Sequence, residues 1–370
     1  MILRRLHIIN FKSIAAASLE FSDKVNCFVG LNGMGKTNLL DAIHYLSFTK
    51  SHLGITDTLA VKRGSDAAIL DALYLPTQGD EKHILLQIRP GQKKILKRNK
   101  KEYPRLSEHI GAFPLTIISP QDYQLIQGAS EERRRFVDMQ LSQQDALYLN
   151  ALSQYNAALE QRNSLLKGAQ SSDALLDVLD QQLDRYAHYI WDKRRRFVEE
   201  FIPYFRSYYS SIAIEYDEVA IEYSSCLSER EGRLYDLLVA NRGRDRLLGY
   251  TQQGIHRDDL TMTLGGELVK RVGSEGQRKT FLISLKLAQY KLLAHNSKER
   301  PLLLLDDIFD KLDAIRVARI IELVGGEDFG QIFITDTNRK HLDEIVHSWG
   351  EDYKLFLVDQ GDIQTQAYEA

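Results

Sequence analysis

Gly30-Leu31-Asn32-Gly33-Met34-Gly35-Lys36-Thr37 has the G-x-x-x-x-G-K-[ST] spacing of a phosphate-binding loop. Each residue type in it has a physical task. The glycines let the backbone turn its N–H groups inward around an anion, Lys36 reaches the β- and γ-phosphates as a point charge, and the Thr37 hydroxyl is a ligand for Mg2+. The context agrees. Val25-Asn26-Cys27-Phe28-Val29 reads as a short buried strand, and the residues from Asn38 to Leu46 read as a helix whose N-terminus points at the anion. Gly30, Leu31, Asn32, Gly33, Met34, Gly35, Lys36, Thr37 and Asn38 are therefore the candidate nucleotide-binding stretch.

The other half of such a site lies far away in the chain. Leu302-Leu303-Leu304-Leu305-Asp306-Asp307 is an apolar strand ending in two acids. Beside a phosphate-binding loop, Asp306 is the expected Mg2+ ligand together with Thr37. Asp307 is the expected base that orients an attacking water, with Lys36 acting on the phosphates. About thirty residues earlier, Gly273-Ser274-Glu275-Gly276-Gln277 precedes a strongly apolar helical pattern through Phe281, Leu285, Ala288 and Leu292. A serine with adjacent glycines at a helix start exposes N–H groups to an anion; it is also what an ordinary helix cap looks like.

The chain has 370 residues, 44% of them hydrophobic and 27% charged, with a net charge of −3. Nucleic-acid binding would have to use local patches, since the overall field gives no attraction. Cys27 and Cys226 supply neither a metal set nor a disulfide framework. No apolar run reaches membrane-spanning length, and Lys12 interrupts any signal-peptide core after Met1. The expectation is a cytoplasmic protein with no membrane partner. Residues 1–120 look mixed and strand-rich, with a hairpin formed by Ile95–Arg98, Asn99-Lys100 and Lys101–Tyr103. From about Glu131 to Phe205 helical spacing dominates, broken at Lys167–Asp173. That pattern predicts two long antiparallel helices, either as a short arm or as a compact subdomain.

The loop, the Ser-x-Gly-Gln helix start and Leu-Leu-Leu-Asp-Asp followed by Leu312-Asp313 together resemble the ABC-type ATPases, and the helical insertion resembles their SMC-related branch. Asn10-Phe11-Lys12-Ser13, Ser119-Pro120-Gln121-Asp122, Arg133-Arg134-Arg135-Phe136-Val137-Asp138 and Gly254-Ile255-His256-Arg257-Asp258-Asp259-Leu260 narrow the resemblance to the RecF recombination mediators. The resemblance implies an α/β fold: an ABC-type, P-loop NTPase head of two lobes with an inserted helical arm. The expected boundaries are 1–122 for the first part of the head, 123–248 for the insertion and 249–370 for the second part of the head. It also implies ATP and Mg2+, and an ATP-dependent head-to-head homodimer. In that dimer Ser274, Gly276 and Gln277 complete the partner's site, and Asp313 lies at the seam. Implied partners are double-stranded DNA, gapped or junction DNA, and the mediators RecR and RecO, with roles in recombinase loading and the SOS response.

Four departures matter. Ile255 stands where the family usually has Pro. Gln121 follows Ser-Pro where the family has an acid, so Gln121 or Asp122 takes the Mg2+-sensing position. Asp307 is one methylene shorter than the Glu of many ABC ATPases, which implies a less firmly held water and slow turnover. After Ile332-Phe333-Ile334 the residues are Thr335-Asp336-Thr337, with no switch histidine, so sensing there falls to hydroxyls or Asp336. Basic clusters offer phosphate contacts that would be salt-dependent. The candidates are Lys93, Lys94, Lys97, Arg98, Lys100 and Lys101 around the hairpin; a solvated face is the alternative. Arg134 and Arg135 are expected to brace the arm against acids of the head, and Lys193-Arg194-Arg195-Arg196 to be a solvated face. His256 and Arg257 are assigned to a hairpin turn or to the dimer seam. A transporter ATPase subunit, a chromosome-structuring SMC protein and a small-molecule kinase fit less well. The first would not need the helical insertion, the second requires a far longer coiled coil, and the third has no use for Ser274-Glu275-Gly276-Gln277.

Overall fold

Leu302–Asp306 is buried along its whole length, which is how a central strand of a parallel sheet looks. In the computed structural model it lies in a six-stranded sheet. Residues 1–168, 172–215, 217–228, 233–309, 312–337 and 352–366 are described. The chain divides into two units, one of Met1–Tyr123, Tyr208–Ile214 and Lys279–Ala370, the other of Gln124–Ser207 and Glu215–Arg278.

The first unit holds two sheets. An antiparallel one is built from β1 (Ile2–Phe11), β2 (Ile14–Glu20), β4 (Ala68–Leu75), β5 (Lys82–Ile88), β6 (Ile95–Arg98) and β7 (Lys101–Glu102), in the order β2-β1-β4-β5-β6-β7. The expected hairpin is present. Asn99 and Lys100 both take positive φ, 49° and 69°, as a two-residue hairpin turn that matches strand twist requires. The second sheet contains β3 (Val25–Val29), β8 (Leu115–Ile118), β12 (Leu302–Asp306), β13 (Ile332–Asp336), β14 (Tyr353–Asp359) and β15 (Asp362–Gln366), ordered β15-β14-β3-β13-β12-β8. All its pairs are parallel except β14 with β15.

Alternation sorts the side chains of this second sheet. Val25, Cys27, Leu303, Leu305, Ile332 and Ile334 share a core with residues of α9 (Glu275–Asn296) and α10 (Ala314–Gly325), such as Leu287 and Ile320. The opposite face carries Phe28 stacked with Phe333 and Phe356, with Phe21 edge-on to all three, and it packs against α1 (Lys36–Phe48). Gln331 joins the two sheets, accepting from the Leu3 N–H at 2.7 Å and donating to the Leu3 and Ser22 carbonyls. A short helix α2 (Asp57–Ala60) follows α1.

The second unit contains α3 (Gln124–Gln127), α4 (Ser130–Gln144), α5 (Ala146–Lys167), α6 (Asp173–Ile212, whose residues from Tyr208 belong to the first unit), α7 (Leu234–Leu248) and α8 (Val269–Val272). It also holds a small antiparallel sheet, β11-β10-β9, of β9 (Val219–Ser224), β10 (Asp259–Leu264) and β11 (Glu267–Leu268).

Two expectations change here. The first predicted helix is two, because the Asp145 side chain accepts from the Leu147 and Tyr148 N–H groups and starts a new helix. The insertion does not end at residue 248: β10 pairs with β9, so the chain through Arg278 belongs with the helices and not with the head. The predicted break at Lys167–Asp173 falls between α5 and α6, with Ala169, Gln170 and Ser171 outside the described residues.

The arginine-rich segments build this second unit. Arg133 makes a two-pronged pair with Asp259, at 2.7 and 3.0 Å, and Arg134 donates to the Asp258 carbonyl, while Arg135 pairs with Glu131 and Glu132 at the surface. The bracing predicted for Arg134 is thus internal to the helical unit, and Arg135 takes no part in it. Arg194 is no solvated charge: only 3% of its side chain is exposed, and it binds Asp138, Asp258 and the Ile255 carbonyl. His256 lies in the same region. Its Nε2 faces the Thr251 carbonyl and its Nδ1 the Tyr155 hydroxyl, and burial holds its pKa down to about 4, so the ring is neutral.

Removing one partner of a buried ion network strands the others. Arg194→Ala is expected to destabilise the helical unit by about 3–5 kcal/mol. Arg135→Ala is expected to change stability by less than about 0.5 kcal/mol. Urea denaturation of both variants checks the contrast; equal effects would show that Arg194 is not structural.

Candidate nucleotide site

The loop between β3 and α1 is shaped by close packing of backbone. A side chain at Gly30 would bring its first carbon to 2.2 Å from the Val358 carbonyl oxygen. Gly35 has φ +111°, and its hydrogen lies where a Cβ would meet the Ser13 hydroxyl at 3.0 Å. The first N–H groups of α1 have no side-chain cap, which leaves them open to an anion. Asn38 donates from Nδ2 to the Ser13 hydroxyl at 2.8 Å, so its side chain braces the loop. The Gly361 N–H donates to the Met34 carbonyl at 2.8 Å, tying the loop to the β14–β15 turn. Ser13 and Gly361 were not anticipated, although Ser13 closes one of the quoted motifs.

Lys36 folds back over this loop, its ammonium 2.6 Å from the Gly30 carbonyl and 3.2 Å from that of Leu31. Burial lowers its pKa below the ordinary lysine value, against the upward pull of Asp307, Asp306 and Asp336. Lys36 therefore feels three carboxylates, and a phosphate entering the loop would offer its ammonium oxygens in place of the carbonyls.

The structure brings Thr37 and Asp306 together across 269 residues of sequence: the Thr37 hydroxyl donates to Asp306 Oδ1 at 3.1 Å. Thr335 donates to the same oxygen at 2.7 Å. Burial raises the Asp306 pKa, opposed by these two hydroxyls and by His52 and Lys36. The donor set is a hydroxyl and a carboxylate, hard oxygens suited to Mg2+, which keeps waters and shares phosphates. Among the described residues no cluster of three His, Cys, Asp or Glu forms an all-protein metal cage. Asp307 is next, at φ +52°, a left-handed conformation that Asp tolerates better than most residues. Its N–H donates to the Thr335 carbonyl and hydroxyl.

Asp122 and Gln121 separate clearly. Asp122 accepts from the Ser119 N–H at 2.8 Å and pairs with Lys286 of α9 at 3.1 Å, while Gln121 is exposed. Ser119 in turn meets His52 Nε2 at 2.8 Å, and the His52 N–H donates to Asp41, which pairs with Lys12. Of the two, only Asp122 is wired into the site's surroundings.

Ser274 and Gln277 cap α9 reciprocally. The Gln277 N–H donates to the Ser274 hydroxyl oxygen at 3.2 Å, and Gln277 Oε1 accepts from the Ser274 N–H at 2.9 Å. Ser274 is exposed, and Gly276 and Gln277 are half-buried. These three belong to the second unit, the loop and the acids to the first. Asp313 caps α10 by accepting from the Arg316 N–H.

The basic hairpin needs one correction. Lys94 donates to the Thr49 carbonyl at the end of α1 and pairs with Asp57 at 3.0 Å, leaving 14% of its side chain exposed. It is a structural cation and leaves the phosphate-contact set. Lys97 is half-buried; Lys93, Arg98, Lys100 and Lys101 are exposed.

Comparison with known proteins agrees with this geometry. The family model for the RecF/RecN/SMC N terminal domain matches residues 2–362. The chain is 58% identical over 363 residues to a protein of Porphyromonas gingivalis called DNA replication and repair protein RecF, covering 98% of this chain and all of that protein. It is similar to a solved structure of the recombination mediator protein RecF-ATP in the RecFOR pathway, with TM-score 0.89, 29% identity, and 99% and 98% of the two chains covered. An Smc head bound to the C-winged helix domain of ScpA shares the fold, with TM-score 0.60 and 16% identity over 100% and 98% of the chains.

The backbone clash makes a graded prediction. Gly30→Ala is expected to destabilise the first unit by about 3 kcal/mol, as overpacking against backbone does. Gly33→Ala has positive φ but open space around it, and should cost about 1 kcal/mol. Chemical denaturation of the pair measures the difference.

Proposed function

The chain belongs to the RecF family, and on that basis we propose that it is an ATP-dependent DNA-binding protein of recombinational repair and replication maintenance. The observation that carries the reading is the junction of Lys36, Thr37 and Asp306 beside a loop and helix start whose N–H groups have no side-chain cap. Lys36 and the loop N–H groups hold the phosphates, and Thr37 and Asp306 hold Mg2+, which neutralises phosphate charge when bound. Asp307 orients the attacking water. Hydrolysis is slow and serves as a switch.

ATP binding is proposed to assemble a head-to-head homodimer in which Ser274, Gly276 and Gln277 face the partner's γ-phosphate and Asp313 lies at the seam. In the capped geometry the Ser274 hydroxyl accepts from the backbone and keeps its own proton to donate to phosphate. The dimer binds double-stranded DNA near gaps or junctions and works with RecR and RecO to load recombinase, within the damage response.

Sedimentation velocity with and without Mg-ATP tests the dimer. Wild type is expected to shift from monomer to dimer, and Ser274→Arg to stay monomeric while still binding ATP. A wild type that stays monomeric at saturating ATP would refute the shared site. For DNA, Lys100→Glu with Lys101→Glu is expected to lower duplex affinity and to flatten its salt dependence by about two units of slope. Filter binding across a salt series reads this; an unchanged slope removes the hairpin from the DNA surface.

A further inference from the structure

We infer that Thr335 is a positioning residue of the nucleotide site, setting both acids at once through its single hydroxyl. The inference rests on the ATPase reading above and deepens it.

Thr335 is fully buried near the end of β13, in register with Asp306 on one side and Phe28 on the other. Its Oγ1 donates to Asp306 Oδ1 at 2.7 Å and accepts from the Asp307 N–H at 3.1 Å. The directions are forced. An N–H can only donate and an ionised carboxylate can only accept, so the hydroxyl proton must go to Asp306. The first bond fixes the rotation of the carboxylate that faces Thr37. The second, with the Thr335 carbonyl at 3.3 Å, holds Asp307 in its left-handed backbone conformation. Such a conformation persists only where the surroundings over-determine it. The next residue, Asp336, accepts from the Gly30 N–H, so the end of β13 also touches the start of the phosphate loop. Partners that orient a metal-binding carboxylate typically change metal affinity or activity by about 10- to 100-fold when lost.

The test compares Thr335→Val, Thr335→Ala and Thr335→Ser with wild type. The two loss variants differ in volume and share only the missing hydroxyl, so a folding defect peculiar to one does not decide the outcome. Fluorescence anisotropy of mant-ATP is read with EDTA and with Mg2+, alongside single-turnover hydrolysis. The loss variants are expected to bind mant-ATP in EDTA within about twofold of wild type. Their Mg2+-dependent gain in affinity should fall about 10-fold and turnover about 10- to 100-fold. Thr335→Ser should recover both to within about threefold. A merely structural role would move the EDTA affinity and leave the Mg2+ gain intact. If the loss variants keep the full Mg2+ gain and turnover, the inference is overturned and the ATPase reading survives. If wild type binds no mant-ATP in either condition, both fall together.

Discussion

Everything at the nucleotide site depends on the register of β13. This strand pairs in parallel with β3 on one side and β12 on the other, so a segment ending at Val29 and two that lie beyond residue 300 end on one edge. Strand side chains alternate, and a slip of one residue exchanges the two faces. In the observed register Ile332 and Ile334 enter the core with Leu287 and Ile320, and Thr335 meets Asp306. Slipped by one, an isoleucine would face the carboxylate and the hydroxyl would be buried in hydrocarbon, where an unpaired hydroxyl is costly. The apolar core and the chemistry therefore select the same alignment. Open α/β sheets bind ligands at the carboxyl ends of their strands, and here that edge is where the phosphate loop, Asp306 and Asp307 emerge.

Much of this was legible because the motifs are contiguous and carry their own context. A five-residue buried strand, a glycine-rich loop and an apolar helix can be read in order from Val25 to Leu46, and four leucines before two acids announce a central strand. What was hidden is what arrives from elsewhere in the chain. Ser13 braces the phosphate loop through its hydroxyl and Gly361 through its backbone N–H, contacts that no local pattern encodes. Lys94 sits in a run of lysines and looks like its neighbours, yet a helix end and Asp57 claim it. The boundary at residue 248 failed for a related reason: β9 lies among helices, and only its pairing with β10 shows that the chain has not yet returned to the head.

The buried arginines did leave a signal, in their phase. Arg194 falls four residues after Ile190 and three before Phe197, on the apolar stripe of α6 and not opposite it. Arg162 stands seven residues after Tyr155, itself seven after Tyr148, and is fully buried against Asp180 and Asp245. A charge in step with the core side chains has to find its counter-charge inside. Such networks add little net stability compared with apolar packing, but they tolerate few alternative arrangements. Segments as distant as Arg133–Asp138 and Gly254–Leu260 thus meet in one set of ion pairs, directly through Arg133 and Asp259 and otherwise through Arg194.

The same logic bears on Asp307. Read alone, the shorter acid looks like a weakened version of a glutamate. Its backbone sits in the left-handed region, where aspartate and asparagine are tolerated because their short polar side chains bond locally, and where longer side chains fit less well. The Thr335 hydroxyl and carbonyl hold that backbone by its N–H, so the strand edge sets where the Asp307 side chain begins and its length sets how far it reaches. An acid placed by a stiff edge and one methylene shorter than glutamate is what the proposed slow switch requires: held near the nucleotide, with less reach toward an attacking water.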